Sequence, residues 1–164
     1  MSEKEPTTNA LMVVVRLRSG IGLRQDVKDT LTMLNLTRTN HAIIIDKRPS
    51  YSGMLQVAKD AITWGEVDVP TLSRLLRKRG RLLGSKHLTD EYIANNTAYK
   101  SIDEYAAALV ALKEDISTLA KLKKVFRLHP PSKGFRGSIK RSYQQKGELG
   151  YRGSEINGLV QRMS

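Results

Sequence analysis

The chain contains no cysteine, which excludes a disulfide scaffold, a thiolate metal site and a cysteine nucleophile together. Its three histidines, His41, His87 and His129, stand far apart without metal-ligand spacing, so neither a metal nor any other cofactor is expected. Apolar runs are short. The longest, residues 106–112, falls far below the roughly 18 residues of a membrane span. The opening MSEKEPTTNA is polar and acidic, unlike a secretory or transit peptide; a soluble cytoplasmic protein with no membrane partner is the expectation. Aromatics are scarce and include no aromatic strand of the single-strand RNA-reader type. Ser19-Gly20-Ile21-Gly22 resembles a nucleotide loop, but Gln25 stands where a third glycine belongs, and no GxxxxGK[ST] follows. The acid pairs Asp90/Glu91 and Asp103/Glu104 open helices, where the macrodipole accounts for them. No nucleophile elbow frames any serine. An enzyme with a small-molecule substrate therefore has no support.

Positive charge is what the chain has in excess. Among 164 residues, 28 are Lys or Arg and 16 Asp or Glu, a net charge of +12. Such a balance favours nucleic acid as partner, with an anionic membrane second. The excess is concentrated in two blocks that contain no acid. Residues 74–86 hold Arg74, Arg77, Lys78, Arg79, Arg81 and Lys86, and residues 121–147 hold nine cations from Lys121 to Lys146. Between them, residues 87–120 carry six acids against two bases and are expected to face away from a polyanion, towards solvent or a neighbouring protein. A solvated basic face is the plainer explanation for one such block. Two of them, the second rich in Gly, Pro and Ser, favour a footprint that follows a phosphate backbone.

Periodicity predicts the elements. Residues 11–19 (LMVVVRLRS) read as a strand with one buried face and one ending in cations. Val27, Leu31 and Leu34 mark a helix, HAIIIDK a second strand, and PSYSG a loop placing Tyr51 beside Lys47 and Arg48. Met54, Val57, Ala58 and Ala61 form a second helical stripe, and residues 62–69 a third strand, weakened by Gly65. The expected fold class is α+β: a βαβαβ core over residues 11–69, a three-stranded sheet with two helices on one face, after a flexible N-terminus (1–10). A helical extension follows over 70–124. Pro70 opens a helix that Gly80 closes, residues 89–95 form a short one, and the capping box Ser101-x-x-Glu104 starts another carrying Tyr105, Leu109, Leu112 and Ile116. Residues 125–164 are expected to hold a short strand, a long basic loop over 132–153 and a terminal helix. Phe135, Tyr143 and Tyr151 in that loop either stack on bases or anchor it.

Read together, LMVVVRLRSGIGLRQDVKDTLTMLNL, HAIIID, ITWGEVD, PTLSRLLRKRG, KHLTDEYI, SIDEYAAAL, FRLHPPSKGFRGSIK and INGLVQRM, in this order, resemble the archaeal form of the large-subunit ribosomal protein thirty family, whose eukaryotic branch is large-subunit protein seven. The basic N-terminal extension of the eukaryotic branch is missing, and the segment after Pro70 separates the chain from the shorter bacterial form. The resemblance implies a ferredoxin-like core and a structural role in the large ribosomal subunit, with large-subunit ribosomal RNA and neighbouring ribosomal proteins as partners. A free-standing RNA chaperone or regulatory RNA binder is the alternative that the same charge map serves. Combining charge with the resemblance, the expected RNA-binding set is Arg16, Arg18, Lys47, Arg48, Tyr51, Arg74, Arg77, Lys78, Arg79, Arg81, Lys86, Arg127, His129, Lys133, Arg136, Lys140, Arg141, Lys146 and Arg152. Guanidinium forks would grip phosphates in pairs of hydrogen bonds and lysines would supply point charges. The long loop is expected to be mobile alone and to order on RNA, at about 1–2 kcal/mol per residue fixed.

Overall fold

The computed structural model describes residues 10–164, so the expected flexible N-terminus lies, over residues 1–9, outside the described residues. Strand β1 (Leu11–Arg16) is central. It pairs antiparallel with β2 (His41–Asp46) on one side and β3 (Ile62–Glu66) on the other, Val13 facing Ile44 and Gly65. Helices α1 (Gln25–Met33) and α2 (Pro49–Ala58) cover one face, where Val27, Leu31, Leu55 and Ala58 bury Met12, Val14, Ile43, Ile45, Ile62 and Trp64. This is the expected α+β core.

The structure adds two things to it. The opposite face of β1 is also dry: Leu11, Val13 and Val15 pack with Ala42 and Ile44 against α3 (Val69–Arg79), α5 (Ile102–Val110) and α6 (Ile156–Met163). All six residues of β1 are buried, so the expectation of a cationic outer face is corrected. A near-continuous apolar run such as LMVVV is what a strand covered on both sides requires. The sheet also has six strands, in the order β4-β2-β1-β3-β6-β5. Strand β4 (Val125–Arg127) extends the β2 edge antiparallel. At the other edge, β6 (Gly147–Tyr151) runs parallel to β3, and β5 (Ser138–Ser142) lies beside β6 in a parallel but irregular register. The expected loop over 132–153 therefore contains two strands.

Smaller differences have local causes. PSYSG is not a loop but the start of α2, with Pro49 where the missing N–H costs nothing. In α2 the core position belongs to Leu55, while Val57 is exposed. The capping box is present in altered form: Ser101 Oγ accepts from the Glu104 N–H (3.3 Å), but the Glu104 carboxylate accepts from the N–H of Lys100 (2.9 Å). Helix α5 stops at Val110, Leu112 takes a left-handed φ of 56°, and Ile116 sits in a 3-10 turn. The short helix α4 (Asp90–Asn96) is capped by Thr89.

Candidate nucleic-acid interface

The two acid-free blocks, some forty residues apart in sequence, meet in space. After Gly80 the chain makes a tight turn in which Gly84 and Ser85 both have positive φ (82° and 63°) and Arg81 bridges His87. The returning chain lies against this turn. Leu82 bridges Leu122, the Lys123 N–H donates to the Arg81 carbonyl (2.8 Å) and the Leu83 N–H to that of Lys121 (2.9 Å). Strand β4 then places Arg127 opposite His41 on β2. The result is a cleft of about 250 Å³ lined by Arg79, Arg81, Ser85, Lys123, Val125 and Arg127. It adjoins one of about 390 Å³ that shares Lys123, Val125 and Arg127 and adds Lys124 and His41. No carboxylate lines either cleft among the described residues. Arg79 Nε, Arg81 Nη1 and His41 Nδ1 are buried without a hydrogen-bond partner. Burial, then the charges of Arg127, Arg38 and Arg16, hold the His41 imidazolium below its ordinary pKa.

A second basic surface lies at the opposite sheet edge. Arg136, Lys140, Arg141 and Lys146 are exposed on and around β5. A wider cleft of about 640 Å³ there includes Arg136, Tyr143, Lys146 and Arg162, but also Glu148 and Glu155. Of the three aromatics expected in this region, Phe135 is half-buried against the core. Tyr151 donates to both carboxylate oxygens of Glu66 (2.8 Å each), which raises its hydroxyl pKa, and its ring is tilted against Trp64. Tyr143, with the Arg152 guanidinium 5.0 Å from its ring centre, is more than a third exposed and is the one whose hydroxyl is not engaged.

The profile of the family described as "Ribosomal protein L30p/L7e" matches residues 12–62, from β1 to the start of β3. Beyond that segment, "Large ribosomal subunit protein uL30" of Methanopyrus kandleri is 49% identical over 148 residues, covering 90% of this chain and 99% of its own length. The proteins of the same name from Methanocella arvoryzae and Methanobrevibacter smithii are 44% and 46% identical over 153 residues, each covering 93% of this chain and 99% of its own. The chain belongs to the L30p/L7e family. That is a family of ribosomal structural proteins and not of enzymes.

The remaining expected residues of this L30p/L7e chain divide by surroundings. Two are corrected. Arg16 is 6% exposed; its Nη1 donates to the Leu36 carbonyl (2.6 Å) and its Nε to that of Arg18 (2.9 Å). Arg152 is buried too, and its Nε donates to Thr63 Oγ1 (2.8 Å) while Nη2 pairs with Glu148 (2.7 Å). Both guanidinium groups are engaged in hydrogen bonds within the fold. Arg77 is exposed but not free: it pairs with Asp103 (2.7 Å) and Asp90 (3.6 Å). Asp103 also accepts from Ser73, and that bond, with Arg77, holds its carboxyl below the usual range. Two acids of the 87–120 segment thus face the basic helix rather than away from it. Arg48 pairs with Asp46, Lys47 lies 4.0 Å from Glu66, and Tyr51 is half-buried against the α1–α2 core. Arg18 reaches the Asp60 carbonyl, and His129 is held by the carbonyls of Pro130 and Ser164. Arg74 donates to Ser164 Oγ (3.2 Å); Lys78, Lys86 and Lys133 are exposed. Lys123, Lys124, His41 and Arg162, outside the expected set, also line these clefts. The lysines were already within the second acid-free block; His41 and Arg162 carry no sequence signal of their own.

Proposed function

We propose that the chain is a structural constituent of the large ribosomal subunit in the cytoplasm and binds large-subunit ribosomal RNA, supporting assembly and translation. The observation that carries the reading is the convergence of both acid-free blocks on one carboxylate-free cleft, since only a polyanion offsets the repulsion of so many adjacent cations. Family membership and near full-length similarity to uL30 proteins support the same conclusion. Binding centres on Arg79, Arg81, Lys123, Lys124 and Arg127 at one sheet edge, with Lys133, Arg136, Lys140, Arg141 and Lys146 as a second surface. Contacts of this type read backbone and shape rather than base sequence. Tagged chain in a lysate, run through a high-salt sucrose gradient, should be recovered stoichiometrically with the large-subunit peak. Recovery in the light fractions alone would reject the assignment and favour a free RNA binder.

A further inference from the structure

The cleft between the end of α3 and β4 differs from the rest of the basic surface. Elsewhere the cations are solvated or satisfied: Arg77 by two carboxylates, Arg48 by Asp46, Arg18 by a backbone carbonyl. Here Arg79 Nε and Arg81 Nη1 are withdrawn from water with no acceptor, although a buried N–H of this kind is costly to leave unpaired. Both arginines line one small cavity with Arg127, Lys123 and Ser85. Lys123 Nζ lies 3.3 Å from Ser85 Oγ, so the ammonium is tethered at the rim. The backbone that carries these side chains is fixed. Arg81 and Lys123 are locked by their shared main-chain bond, Ser85 by the left-handed turn, and Arg127 by its register with His41. A small cleft lined by four cationic side chains and a serine, with no carboxylate among the described residues, suits a compact oxyanion.

We propose that this cleft is a pocket for a single phosphate group, lined by Arg79, Arg81, Arg127, Lys123 and Ser85. Resting on the RNA-binding reading, the phosphate comes from the RNA backbone and the pocket sets the register of the strand; a free phosphate ion has the same chemistry. The test uses the full chain labelled with nitrogen-15, titrated with inorganic phosphate at constant ionic strength against chloride. The Arg79 and Arg81 side-chain N–H signals should shift to saturation with phosphate and not with chloride. Arg81→Gln should abolish saturation, while Lys113→Gln, an equal charge loss on the acidic segment, should leave it intact. A large-subunit RNA fragment should displace the phosphate, and Arg81→Gln should weaken that RNA about tenfold, as expected for loss of a charge-assisted pair of hydrogen bonds. Equal, unsaturating shifts in phosphate and chloride would overturn the pocket while leaving RNA binding itself standing. Saturation without displacement by RNA would keep a phosphate pocket but take the RNA strand out of it. Failure of the wild-type chain to bind the RNA at all would instead strike the proposed function.

Discussion

Arg152 and Glu148 show how a charge count misleads at single residues. They sit one helical turn apart in sequence, each side chain only 4% exposed, with Glu148 also accepting from the Gly137 N–H (2.8 Å). Their pair fastens β6 to β3 through Thr63. Removing one partner strands the other charge in the interior, which costs about 3–5 kcal/mol. Glu148→Gln should therefore lower the urea midpoint markedly, while the exposed Lys140→Gln leaves it unchanged; equal midpoints would mean the pair is solvated. A sequence does not separate a buried arginine from an exposed one, and Arg16, also buried, shows the same. The cations of α3 were legible, because Leu72, Leu75 and Leu76 fix which side of that helix is turned inward.

At the scale of elements, what was legible depended on whether the signal is local. The βαβαβ core, the proline start of α3 and the serine cap of α5 are written within a few residues of where they act. Strands β5 and β6 are not. Their glycines and lysines hide any alternation, and β6 is held by partners some ninety residues earlier, as in the Thr63 Oγ1 bond to the Gly150 carbonyl. Gly65 illustrates the same distance effect. In sequence it weakens a strand; in the structure a Cβ there would stand 1.9 Å from the Gly153 carbonyl oxygen, backbone that cannot step aside cheaply. The missing side chain is what lets the turn before α6 cross β3. Gly65→Ala should destabilise the chain by about 1–3 kcal/mol through overpacking, read as a lower thermal midpoint. An unchanged midpoint would show that the crossing is looser than these contacts imply.

Across the whole molecule, the two cationic surfaces lie at opposite ends of the six-stranded sheet, five strand spacings or roughly 24 Å apart. Only an RNA wide enough to reach both edges can use all the cations. A short fragment confined to the β4 edge meets Arg79, Arg81, Lys123, Lys124 and Arg127, and its affinity should fall with salt at a log–log slope of about −4. Arg127→Gln should reduce that slope by about one, and a folded large-subunit RNA domain should roughly double it. Identical slopes for the short and the large RNA would mean one edge is silent. The parallel pairing of β6 with β3 bears on how the molecule is made as well as on what it binds. Gly150 is synthesised 87 residues after Thr63, an interval of roughly 4 to 17 s at ordinary translation rates. Throughout it the outer edge of β3 has no strand beside it and offers open hydrogen-bonding groups to any other chain. The nascent chain must therefore be shielded at that edge, or emerge slowly enough to stay solitary, until its own later strand arrives.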